Sequence, residues 1–213
     1  MNRLIFLILV IATYNSCVIR NEMQQESNLS LFNQKKDFLL LNYDCKTDVD
    51  DLHSIAAFAS LIRIQDFSDL DFHAVAGTYG TQEGKYVPPN SLFSLAFADD
   101  DWSDAHAQYE KSLDVVYLKV RKVLKKGGNI WIAEAGQSDF SSSLITKVQN
   151  NMRRINTKER IKIVQHSDWN EKETSKDDLT FVKMNSDYYN RITHLSYTKN
   201  FFSCFWWIID HTP

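Results

Sequence analysis

Phe38-Leu39-Leu40-Leu41-Asn42-Tyr43-Asp44-Cys45-Lys46-Thr47-Asp48-Val49-Asp50-Asp51 is a short apolar run that breaks into four carboxylates within eight residues. An apolar run of this length, bounded by charge on both sides, suits a central strand buried on both faces. From Asp51 onward Leu52, Ile55, Ala56, Ala59 and Ile62 fall at helical spacing. The acidic residues before them sit where the positive end of a helix dipole stabilises negative charge. A strand, an acidic loop and a helix follow in order.

The same step recurs downstream. Phe72-His73-Ala74-Val75-Ala76-Gly77 predicts a second strand, followed by a loop from Thr78 to Asn90 that carries two glycines and both internal prolines and would wall a site. Ala107, Leu113, Val116, Tyr117, Val120, Val123 and Leu124 predict a helix over 104–126 that stops at Gly127-Gly128. Asn129 to Ala135 is a third strand, Ser141 to Met152 a helix and Ile161 to Gln165 a fourth strand. This alternation implies an α/β fold, a mostly parallel open sheet with helices on both faces.

The chain has 213 residues, 44% of them hydrophobic, which is enough for one α/β domain, expected over residues 37–192. With 24 basic and 27 acidic residues and no long basic run, no nucleic-acid partner is expected. Arg3 and the apolar run Leu4 to Ala12 read as a signal peptide, too short to span a bilayer comfortably. Cys17 just beyond it fits either a lipidated lipoprotein cysteine or a neighbour of ordinary secretory cleavage. An exported, cell-envelope or secreted protein follows, whose membrane contact would be a lipid anchor at Cys17. Residues 18–36 read as a polar linker, and the aromatic-rich residues 193–213 carry no clear period. Cys45 and Cys204 could pair or stay as buried thiols. His53 and His73, inside a helix and a strand, read as ordinary packed or surface residues.

Ligands of an open parallel sheet bind beyond the carboxyl ends of its strands. Polar residues gather at three of those ends: Asp44 to Asp51, Glu134 to Asp139, and His166 to Glu171. Carboxylates that converge in the first cluster would repel one another without a hard cation such as Ca²⁺. The alternative is that Asp48, Asp50 and Asp51 only cap and start the helix. No G-x-S-x-G elbow, phosphate loop or dinucleotide glycine pattern is present, which disfavours serine hydrolases, nucleotide kinases and NAD enzymes.

The strand–Asp–loop–Asp-Asp–helix opening resembles the inosine-uridine nucleoside hydrolase superfamily. Its divergent branch has the form D-x-x-x-D-x-D-D, which Asp44, Asp48, Asp50 and Asp51 fit position for position. The segments HAVAGTYG and IWIAEAGQSDFSSSL resemble later strands of the same superfamily. The resemblance implies a Ca²⁺ site held by Asp44, Asp48 and Asp51, with a backbone carbonyl from Ala135 or its neighbour. It further implies that Asp50 binds a ribose-like hydroxyl and that Asp48 activates a water. The fourth strand end would hold the sugar through His166, Asp168, Asn170 and Glu171, with Trp169 as a stacking face. Lys46 stands where the simpler members carry a calcium-binding carboxylate, and a lysine cannot ligate calcium. Family enzymes also use a late aspartate beyond the length present, so the chain reads as C-terminally truncated, and Asp210-His211 as coincidence.

The implied activity is divalent-cation-dependent hydrolysis of an N-glycosidic bond, with a small nucleoside or sugar as partner. A second reading is an exported carbohydrate- or nucleoside-binding protein that has lost catalysis.

Overall fold

The computed structural model describes residues 32–46 and 49–190. The signal segment, Cys17, Asp48, Cys204, the aromatic tail and the Asp210-His211 pair lie outside them. Six strands form one sheet: β1 Phe38–Tyr43, β2 Phe72–Ala76, β3 Trp102–Asp104, β4 Ile130–Glu134, β5 Ile161–Gln165 and β6 Asp187–Asn190. The order is β3-β2-β1-β4-β5-β6 and every pairing is parallel. Between them run α1 Asp50–Leu61, α2 Asn90–Ala96, α3 Tyr109–Lys125, α4 Asp139–Asn151, α5 Thr157–Arg160, α6 Asp168–Glu173 and α7 Lys176–Asn185. The expected open parallel α/β sheet is the observed fold.

β1 sits at the centre, buried along its whole length, and divides its apolar residues between two layers. Phe38 and Leu40 pack in one cluster with Val116 and Val120 of α3, Leu144 and Val148 of α4 and Val182 of α7. On the opposite face α1 and α2 bring an aromatic set. Phe58 lies edge-on to Phe72 at 5.0 Å between ring centroids and to Phe97 at 6.0 Å, and Phe93 meets Tyr43 at 6.1 Å. Such edge-to-face pairs add to the area they bury.

Three local expectations shift. The buried face of α1 is Asp51, Ser54, Ile55, Phe58, Ala59 and Leu61, with Ala56 exposed, because the large Phe58 ring takes the core position. The helix predicted from Asp104 starts at Tyr109. Asp104 instead closes β3, pairing beside Ala76, and its Oδ1 accepts the Ala107 N–H at 2.9 Å. Phe32, inside the expected linker, is packed into the domain; this ring is buried edge-on against Trp131. The predicted stop at Gly127-Gly128 is a Schellman closure: Gly127, at φ +87°, donates to the Leu124 carbonyl and Gly128 to that of Val123.

The topology places the site. From β1 the chain proceeds outward to β2 and β3, then returns across the sheet to β4 on the other side of β1. The order reverses between β1 and β4, so their adjoining C-terminal ends border a crevice that no connection covers.

Candidate functional site

A pocket of about 230 Å³ opens at this crevice. The β1 end contributes Asp44, Lys46 and Asp50, the β4 end Ala135, and the β5 end His166, Ser167, Trp169 and Asn170. Six residues expected from the sequence are thus brought together: Asp44, Asp50, Ala135, His166, Trp169 and Asn170. Trp169 stays half exposed at 51%, so its ring face is open to a ligand, while Asn170 is buried.

Behind the pocket wall lies a pair of carboxyls. Asp44 and Asp51 are each 4% exposed and their side chains touch. Burial, then the charge of Asp44, holds Asp51 well above the usual carboxylate range. Backbone N–H groups orient both: Asp51 Oδ2 accepts from Cys45 at 2.8 Å, and Asp44 Oδ1 accepts from Lys46 at 2.9 Å. The second bond is a local Asx turn. It leads the chain through Cys45 at φ +53°, a left-handed conformation that side chains other than glycine rarely adopt. Asp51 therefore points back at the strand end. Asp50 is the residue that serves the helix start, with Oδ1 accepting the Asp51 N–H at 2.8 Å. Cys45 is buried and has no disulfide partner among the described residues.

Two oxygens that the sequence did not single out lie beside the pair. Gln137 is wholly buried; its Nε2 reaches Asp44 Oδ2 at 3.4 Å while its Oε1 has no partner. Thr78 is also wholly buried, and its Oγ1 has no partner. Gly136 fixes how close these groups come: a Cβ built on it would lie 2.3 Å from the Thr78 carbonyl oxygen, 2.8 Å from Asp44 Cβ and 3.1 Å from Thr78 Oγ1. A buried polar atom without a partner forfeits its hydration, and others occur elsewhere among the described residues, Trp102 Nε1 included, so it is the position of these two that matters. Two such oxygens next to two contacting carboxyls suit a hard cation, which takes oxygen ligands only. Among the described residues no three His, Cys, Asp or Glu side chains form a metal-binding group, so neutral oxygens would have to complete the shell.

Other expected residues are engaged elsewhere. The Ala135 carbonyl accepts from Asn170 Nδ2, so the oxygen implied as a calcium ligand anchors α6. Glu171 lies on a different side of α6, where Lys183 and the Tyr188 hydroxyl hold it. Asp168, in the first turn of the same short helix, is exposed and does not line the pocket. Lys46 sends its ammonium to the Gln82 carbonyl at 2.7 Å and over the Tyr79 ring, 3.6 Å from its centroid. A bridge from Lys46 to Tyr86 and a bond from the Val87 N–H to the Cys45 carbonyl dock the 78–89 loop beside β1. No residue of that loop lines the pocket, so it does not form the wall expected of it. His73 is a packed histidine, its Nε2 2.8 Å from Ser103 Oγ, and burial lowers it to about 3.

Under the pocket floor sits Glu134, fully buried at the end of β4. Burial pushes its carboxyl up to about 7, against the pull of hydrogen bonds from Ser141, Ser138 and Asn42. A folded-state value above the ordinary 4.5 means that the fold favours the protonated acid. That contribution is complete below the unfolded value and is lost as pH rises through about 7. Urea unfolding should show stability falling across this window by on the order of 3 kcal/mol. Glu134→Gln should flatten the fall, since Asn42 Oδ1 lacks a partner and can accept from the new amide. An equally steep fall in the variant would assign the effect to another group.

Comparison of the chain with known protein families, with curated proteins and with solved structures finds no match.

Proposed function

We propose that the pocket binds a ribosyl or related glycosyl unit, with Ca²⁺ held behind it, and that the protein hydrolyses the N-glycosidic bond of that unit. The observation carrying this reading is the meeting of Asp44, Asp50, His166, Trp169 and Asn170 from separate strand ends in one small pocket backed by the Asp44–Asp51 pair. The volume, about 230 Å³, lies below the range of roughly 300–1,000 Å³ that suits drug-sized ligands, and a single sugar ring fits it better. The superfamily resemblance of the first motif supports the same conclusion.

Asp44 and Asp51 would hold the cation through their carboxylates, with the unpartnered oxygens of Thr78 and Gln137 as neutral donors. Such a cation, when bound, supplies positive charge that makes a water acidic enough to act as a nucleophile near neutral pH. The chain's own residues do the rest. Asp50 receives a sugar hydroxyl, Trp169 offers its ring to the C–H face of the sugar, and His166 and Asn170 fix the remaining hydroxyls. Contacts that tighten as the ring becomes oxocarbenium-like favour cleavage. In this reading Asp48 takes the water's proton.

Calcium titration of the full chain by calorimetry, followed by assay of reducing-sugar release from a nucleoside panel, tests the proposal. Saturable calcium binding with calcium-dependent release is expected. A folded protein that binds no calcium would remove the cation from the mechanism. The second reading, a binding protein without turnover, is favoured by Lys46 standing where a carboxylate would serve; calcium-dependent binding of the sugar with no release would select it.

A further inference from the structure

We propose that the end of the domain opposite the pocket, where the strands begin, is a docking surface for the phosphate headgroups of an anionic lipid bilayer. A groove of about 510 Å³ runs there between the turn leading into β1, the C-terminal end of α3 and the loop before β2. One side carries Lys35, Lys36, Lys122 and Lys126, all exposed, and none of them takes part in an ion pair among the described residues. The other side carries the exposed Asp69 and Asp71. Asp37, also at the groove, is buried and committed to the N–H groups of Asn129, Trp131 and Asn33.

The same edge of the sheet carries exposed Lys125 at the end of α3 and exposed Arg153 and Arg154 between α4 and β5. Nearby, Glu159 is exposed and the Lys158 ammonium is bound to the Lys183 and Ser186 carbonyls. The parallel fold gathers this charge. Helices that return between parallel strands end at the strands' starting edge, where basic residues also complement their dipoles. A chain of net charge −3 thus presents a basic face directed away from its acidic pocket.

Chain connectivity points the same way. Gln34 lines the groove and the domain's first described residue, Phe32, is buried just before it, so the polypeptide joins the domain at this face. Upstream lies the apolar run Leu4 to Ala12. A lipid anchor at Cys17, just past that run, would bring this face to the headgroups.

Each lysine or arginine close to an anionic membrane surface contributes about fivefold in binding. The test is co-sedimentation of the full chain with vesicles of phosphatidylcholine alone and of phosphatidylcholine mixed with phosphatidylglycerol. The upstream segment, with Arg3 and Arg20, is common to the wild type and the combined lysine variant, so the change between those two proteins reports the basic face. Preference for the anionic vesicles is expected, weakening as salt is added. The combined variant Lys35→Gln, Lys36→Gln, Lys122→Gln and Lys126→Gln should keep its melting temperature and lose on the order of a hundredfold or more of the anionic binding. Equal binding to both compositions overturns the proposal. So does an undiminished preference in the folded variant, or its abolition by millimolar glycerol phosphate, which would mark a site for a free phosphate.

Discussion

The Asp51→Asn variant is expected to fold with an unchanged or raised melting temperature and to lose at least about a hundredfold in calcium affinity. The two halves of this expectation have different causes. The amide oxygen of the substituted side chain would still accept the Cys45 N–H that orients the residue, and the contact with Asp44 would carry one negative charge fewer. The fold therefore keeps its bond and sheds a repulsion. Calcium at the proposed site would, by contrast, lose one of the two anionic donors among the described residues there. Calorimetric titration and thermal melts of both proteins, with and without calcium, separate the outcomes. A calcium-dependent melting shift that survives in the variant would show that Asp51 is no ligand. A large loss of stability without calcium would show that the side chain's main work is structural.

Gly136→Ala should damage both stability and site. The added Cβ would stand 2.3 Å from the Thr78 carbonyl oxygen and 2.8 Å from Asp44 Cβ, neither of which is the free end of a flexible side chain. The ends of β2 and β4 must then part. Overpacking of this kind costs about 1–3 kcal/mol, equivalent to a fall in melting temperature of roughly 2–12 °C for a domain of this size. Because the displaced groups are Thr78 and Asp44, calcium and sugar affinity should fall in the same variant by more than its stability alone explains. A variant with wild-type melting and wild-type affinity would show that the crevice is loose and that Gly136 is not needed for close approach.

The sequence disclosed those parts of the molecule whose pattern is local. Phe38 to Tyr43 announced a central strand because only a strand covered on both faces carries six consecutive apolar or neutral residues into a charged loop. The turn at Gly127-Gly128 was equally visible. β3 and β6 were not, since Trp102–Asp104 and Asp187–Asn190 are short edge strands rich in polar residues, and pairing rather than periodicity defines them. α2 escaped for a related reason: its seven residues, following Pro88-Pro89, are too few for a helical period to stand out.

The site shows the same division. That ligand-facing residues gather at the ends of β1, β4 and β5 follows from the sheet's topology. Which of them turn inward depends on the phase of α6, and Glu171 and Asp168 were lost at that step. Thr78 and Gln137 left a faint signal. Each follows an Ala-Gly pair at the end of a strand, Ala76-Gly77 and Ala135-Gly136, so a small residue lets a polar one approach the neighbouring chain. Recognising that the two steps face one another requires the strand order.

The left-handed backbone at Cys45 has a thermodynamic consequence for whatever ligand the pocket takes. Three bonds hold that conformation: Asp51 accepts the Cys45 N–H, Val87 donates to its carbonyl, and Asp44 accepts the next N–H. The directions of Asp44 and Lys46 are therefore set before a ligand arrives, and the cost of ordering them has already been met during folding. Association at this part of the site is preorganised: little conformational entropy remains to be lost, and the affinity of a bound sugar or cation is diminished correspondingly little.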